Sequence, residues 1–126
     1  MQLLLQIVLM AKKESEVAGA AFHLVYLPSM FRYRSHLRPK QSELLEATGA
    51  RPNYKSGTKY KEKFIRELKK MNISVIDIEV LFSSHPRISD LFHSPLLHYT
   101  EAGYKLIADE LEKIIRPENG VKRLRQ

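Results

Sequence analysis

Apolar residues recur along this chain in two rhythms, and the alternation between them marks out its elements. Over residues 2–17, Leu4, Ile7, Val8 and Ala11 fall on one helical face, and Leu3, Leu5 and Leu9 widen it. The spacing predicts a helix buried on more than one side, with Gly19 as its stop. Residues 21–27, Ala-Phe-His-Leu-Val-Tyr-Leu, form a nearly continuous apolar run that ends at Pro28. A strand covered on both faces, as in a parallel sheet, has this pattern. Residues 59–70 return to the helical period, with Tyr60, Phe64, Ile65 and Leu68 as the stripe and lysines on the other side. Met71-Asn72 reads as a short turn, and Ile73 to Ile78 as a second buried strand. In the last element, Thr100 is a natural N-cap and Glu101 sits at the favourable end of the helix dipole. Tyr104, Ile107, Ala108, Leu111, Ile114 and Ile115 then repeat at helical spacing until Pro117.

Two irregular stretches separate these elements. Residues 28–58 are polar, with a helical patch from Ser42 to Thr48 closed by Gly49. A loop of that length in a small domain is often functional. Residues 79–97 carry turn signals at Ser83-Ser84, His85-Pro86 and Ser94-Pro95.

The order helix, strand, helix, strand, helix predicts an α/β domain over residues 1–116, a parallel sheet flanked by helices, followed by a basic tail over 117–126. Two strands make an incomplete sheet. Each would expose an edge, and both are too apolar for edges. The expectation is that further strands come from a missing N-terminal segment or from another copy of the chain.

Composition narrows the chemistry. The chain has 126 residues, 44% hydrophobic and 28% charged, which is a globular composition of one-domain size. It has no cysteine, which excludes disulfides, a thiolate nucleophile and Cys-ligated metal. Its 21 basic and 14 acidic side chains give 21 − 14 = +7. That charge raises a nucleic-acid reading through Arg32, Arg34, Lys55, Lys59 and the aromatics of the long loop, but the basic residues are scattered, and a solvated surface is the better account. The longest apolar stretch, Leu3 to Ala11, is far short of the roughly 20 residues of a membrane span. It lacks the basic leader and cleavage site of a signal peptide, and the compartment stays open.

In open α/β sheets, ligands gather beyond the carboxyl ends of the strands. Here those ends are Pro28-Ser29-Met30 and Glu79 to Phe82. His98 stands just before the last helix, where a histidine is well placed as a general base. His23, inside the first strand, reads as a packed or edge histidine. His85, His93 and His98 are spaced by eight and five residues, which matches no common zinc pattern. There is no glycine-rich phosphate loop, and no cofactor is expected.

The block His98-Tyr99-Thr100-Glu101-Ala102-Gly103-Tyr104, followed by Leu106-Ile107-Ala108 and Leu111, resembles the last block of the SGNH/GDSL hydrolase superfamily. There a catalytic histidine precedes a polar turn and a Gly-aromatic pair opens the final helix. Phe22 to Ser29 and Ile73 to Ile78 are similar to the family's late strands. The resemblance implies a flavodoxin-like sheet and a Ser-His-Asp triad for ester hydrolysis or acyl transfer, with an acyl ester as substrate and His98 as the base. It also implies an aspartate three residues before the histidine, where this chain has Pro95. Asp90, the nearest upstream carboxylate, is the candidate replacement, and its alternative role is to turn the loop. The family's nucleophile lies in a Gly-Asp-Ser block that does not occur here. Ser29 follows Pro28 at a strand end, but that is not the nucleophile's place. The chain is therefore expected to be the C-terminal portion of such a fold. The alternatives are a non-catalytic α/β module that dimerises through its strands and, ranked last, a nucleic-acid-binding domain.

Overall fold

A computed structural model of the chain describes residues 1–47, 54–93 and 98–116. Gly49, Pro95 and the tail from 117 fall outside the described residues, as do the side chains of Tyr54 and Lys55. The elements run α1 (Gln2–Val17), β1 (His23–Tyr26), a 3-10 segment (Met30–His36), α2 (Pro39–Ala47), α3 (Tyr54–Lys70), β2 (Ser74–Asp77), α4 (Ile78–Ser83), a second 3-10 segment (Ile88–Leu91) and α5 (Glu101–Ile115). None of the helices is long and apolar enough to cross a membrane among the described residues.

The two strands pair in parallel, with His23 opposite Ser74, Leu24 opposite Val75, Val25 opposite Ile76 and Tyr26 opposite Asp77. Side chains alternate across a strand, so paired residues share a face. Leu24 and Val75 pack with Val8 and Leu5 of α1 and with Phe64 and Leu68 of α3. Val25 and Ile76 pack on the other face against Ile78, Phe82, Leu91, Phe92 and Ile107. Among the described residues the result is a helix–sheet–helix sandwich with a two-stranded parallel sheet, mostly helical by residue, an α/β arrangement as the order of elements predicts in its coarse form.

Two helix ends follow directly from the sequence. After α1, the Gly19 N–H bonds to the Glu16 carbonyl at 3.0 Å and the Ala20 N–H to the Ser15 carbonyl at 2.8 Å. Gly19 takes φ +72°, the left-handed conformation that this double bond requires. Asn72 does the same after α3 at φ +53°, with its N–H on Lys69 and the Ile73 N–H on Leu68. Ile73 and Leu68 then meet in the core, and the chain turns from helix into strand over the three residues Met71 to Ile73.

The connections are more structured than their polarity predicts. The helical patch expected from Ser42 starts at Pro39 instead, because proline's fixed φ suits a first helical turn. The stretch after β2 reads as a connection with turn signals, and it opens with a helix, α4. There Asp77 caps the new helix by accepting the Glu79 N–H at 3.1 Å.

Candidate functional site at the strand carboxyl ends

Two groups of side chains occupy the carboxyl side of the sheet. One is the loop that leads into α5. Phe92 and Tyr99 form an isolated antiparallel bridge, and the His93 N–H bonds to the His98 carbonyl at 3.1 Å. The Thr100 N–H bonds to the Leu91 carbonyl at 3.0 Å, its hydroxyl donates to the Asp90 carbonyl at 2.6 Å, and the same oxygen accepts the Gly103 N–H at 3.2 Å. Thr100 is thus the predicted cap and also the clasp of the loop. Tyr99 donates to the Pro28 carbonyl at 2.5 Å, which ties this loop to the end of β1.

His98 is exposed on this clasp, and among the described residues its ring has no hydrogen-bond partner. Asp90 is close in the chain but turned elsewhere. Its carboxylate pairs with Arg38 and, at 3.0 Å, with Arg87 Nε. Asp90 also closes the 3-10 turn through its N–H on the Arg87 carbonyl at 3.0 Å. No hydrogen bond joins the Asp90 and His98 side chains among the described residues; the two are linked through Thr100. Ser29 is exposed and precedes the first 3-10 segment. His85 Nδ1 accepts the Arg87 N–H at 3.2 Å, and His93 is exposed. Among the described residues, no three His, Cys, Asp or Glu gather as metal ligands would. His23 finds a partner 51 residues away, with its Nδ1 at 3.0 Å from Ser74 Oγ across the strand pair.

The second group was not anticipated as a unit. Lys61 Nζ lies 2.7 Å from Asp77 Oδ2 and 2.9 Å from Glu79 Oε2. It also stands 4.6 Å from the centre of the Tyr26 ring, at the end of β1. Arg32 Nε reaches the same Glu79 oxygen at 3.3 Å, and its Nη1 donates to Thr58 Oγ1 at 2.7 Å. Its Nη2 is buried and has no hydrogen-bond partner among the described residues. Tyr33 donates to the Glu79 carbonyl at 3.0 Å. Two cations thus face two carboxylates around the start of α4. Beside them, Lys61, Arg66, Lys69, Asp77 and Glu79 help line an open groove of about 450 Å³.

The electrostatics fix what Lys61 can do. Burial alone would lower its pKa, but the hydrogen bonds and charges of Asp77 and Glu79 outweigh burial and raise it above the ordinary lysine value. Lys61 therefore stays an ammonium and is no base at neutral pH. Of the cations named for a nucleic-acid surface, Arg32 is bound into this cluster and Arg34 is paired with Glu46 at 2.6 Å. The sequence did contain a trace of the cluster, an Asp-Ile-Glu at the end of an apolar run. Its cationic half comes from α3 and from the segment after β1, and spacing does not reveal that.

No family model matches this chain, and no curated protein or solved structure matches it.

Proposed function

We propose that this chain is the late part of an SGNH-type serine ester hydrolase or acyltransferase, with His98 as the general base. The bond from Tyr99 to the Pro28 carbonyl carries this reading, because it holds the residue next to His98 at the carboxyl end of β1. Active sites of open α/β sheets collect there. His98 is exposed and, among the described residues, its ring has no hydrogen-bond partner, as suits a base that must accept a proton from a nucleophile arriving from outside. In this reading an acyl ester is the substrate, and the serine comes from a Gly-Asp-Ser segment that pairs onto the sheet. Asp90 orients His98 only if it leaves Arg38 and Arg87, so His98 is assigned the base and Asp90 the loop clasp and reserve acid.

The test is hydrolysis of p-nitrophenyl acetate by the longest polypeptide that the locus expresses, beside its His98→Ala variant. The reading expects turnover that falls by about 10²-fold or more in the variant, the usual contribution of a general base. No turnover, or a loss under about tenfold, removes it. Asp90's engagement with the two arginines favours the second reading, a non-catalytic α/β interaction module; it expects no ester hydrolysis at all.

A further inference from the structure

A groove of about 550 Å³ opens between α4 and the second half of α5. Leu81 of α4 and Leu106 of α5 supply its apolar lining, and both are half-buried. Asp109, Glu110 and Glu112 stand along it, with Lys113 and the helix C-cap Arg116. Each acid has a cation one turn away, Lys105 on Asp109 at 3.0 Å, Lys113 on Glu110 at 3.2 Å and Arg116 on Glu112 at 3.3 Å. The side chains of these cations are 70% exposed or more, so the pairs contribute little and exchange readily. A carboxylate can also accept from a second donor. The last carbonyls of α5 add the negative pole of the helix at the same place. The groove is thus apolar in its lining and favours cations at its rim.

The chain continues from the end of this groove. Arg116 borders it, and the sequence runs on as Pro117-Glu118-Asn119-Gly120-Val121-Lys122-Arg123-Leu124-Arg125-Gln126. Pro117 cannot prolong the helix, and Asn-Gly is the dipeptide that most favours a tight reversal. Beyond it come two apolar residues, three cations and no acid. Six extended residues reach about 20 Å, and α5 from Leu106 to Arg116 is about 15 Å long. A reversal at Asn119-Gly120 therefore lets residues 121–126 run back along the full length of the groove.

We infer that the groove is a docking site for the chain's own residues 121–126, folded back along α5. Leu124 covers Leu81 and Leu106, and Lys122, Arg123 and Arg125 share Asp109, Glu110 and Glu112 with the cations of the helix. The tether selects this occupant. A link of four residues holds the segment at an effective concentration on the order of millimolar, which a basic peptide of another protein would have to exceed. The inference needs neither His98 nor a nucleophile. The groove lies between two helices and not at a sheet edge, so its occupant does not compete with the segment that the hydrolase reading adds to the sheet.

Amide relaxation by nuclear magnetic resonance tests it on the whole isotope-labelled chain. Order parameters of residues 121–125 should lie near ~0.8, as in rigid backbone, and should not change with protein concentration. In Glu110→Lys/Glu112→Lys, and separately in Leu124→Ser, they should fall below about 0.6 while circular dichroism keeps its helical signal. Glu14→Lys/Glu16→Lys makes the same charge change on α1 and should leave the segment ordered. Parent values below about 0.6 overturn the proposal. Order that survives both the groove and the Leu124 variants overturns it too, because the segment is then held elsewhere. So does order lost in the α1 control, which would show an unspecific charge effect, or order that appears only at high concentration, which would give the groove to another copy.

Discussion

The Tyr99 hydroxyl and the Pro28 carbonyl are 71 residues apart in sequence and 2.5 Å apart in space. This bond closes the loop before α5 onto the end of β1. The Tyr99 ring is packed at the same time, edge-on to Phe82 at 5.3 Å and to Tyr104 at 5.5 Å. Tyr99→Phe would keep the ring and leave the Pro28 carbonyl without this donor. We expect a loss of about 1–2 kcal/mol, the usual cost of an unsatisfied acceptor in a partly buried site. Urea denaturation should show a lower midpoint at unchanged slope. An unaltered midpoint would mean that water replaces the hydroxyl and that the loop is not held by this bond.

Gly103 is required by contact rather than by backbone freedom. A Cβ there would lie 2.5 Å from the Leu91 carbonyl oxygen and 2.9 Å from Tyr99 Cβ. Both neighbours are fixed, because Leu91 accepts the Thr100 N–H and Tyr99 is pinned to Pro28. Gly103→Ala must therefore push α5 off the loop, and it should cost about 1–3 kcal/mol despite alanine's better helix propensity. In the same unfolding assay, Ala102→Gly, at an exposed helical position beside it, should cost no more than about 1 kcal/mol. A neutral or stabilising Gly103→Ala would refute the close approach.

The elements that were legible are those whose own residues decide them. The continuous apolar runs at 21–27 and 73–78 had to be strands covered on both faces, and the Thr100 cap and the period of α5 needed nothing from elsewhere. The elements that were not legible depend on distant partners. The segment Met30–His36 owes its place to Tyr33, which is buried and bonded to the Glu79 carbonyl. α4 interrupts what reads as one apolar run, because the Asp77 side chain can cap a helix as readily as it can end a strand. The same limit applies to the site. His98 was visible as a residue before a helix, and its neighbour's bond to Pro28 was not. Lys61 reads as the polar side of a helix, Arg32 as a loop cation, Asp77 as part of a buried strand and Glu79 as a strand end, and nothing in their spacing joins them.

Lys61 should matter more than an ordinary surface lysine. Its side chain is 12% exposed, and among the described residues it is the one cation that pairs with both carboxylates. Lys61→Met would leave Asp77 and Glu79 side by side with Arg32 as the remaining ion-pair partner of Glu79 among the described residues. Breaking a fully buried pair costs about 3–5 kcal/mol, and the carboxylates here are about one-fifth exposed, so about 1–3 kcal/mol is expected. Lys105→Met, which removes an exposed pair with Asp109, serves as the control and should barely move the midpoint. The raised pKa sets the sign with pH. The cluster's contribution is complete below the ordinary lysine value and fades as pH rises through the higher folded one. The two variants should therefore converge in strongly alkaline solution, and equal effects near neutral pH would show the cluster to be ordinary surface charge.

Tyr33 and Tyr99 predict how the fold fails in alkali. Burial raises both to about 12, with the Ser83 hydrogen bond opposing the rise at Tyr33 and the Tyr104 and Tyr26 charges adding to it at Tyr99. An unfolded tyrosine ionises near pH 10. The folded state thus keeps two protons that the unfolded state would release, and the stability this confers is complete below about pH 10 and lost between about 10 and 12. Tyrosinate absorbance should show a late stage for Tyr33 and Tyr99 that coincides with loss of the circular dichroism signal. Tyr33→Phe and Tyr99→Phe should each shrink the late stage by one ring. A single stage near pH 10 with the fold intact would show that neither ring is shielded, and the aromatic core around Phe82 and Phe92 would need redrawing.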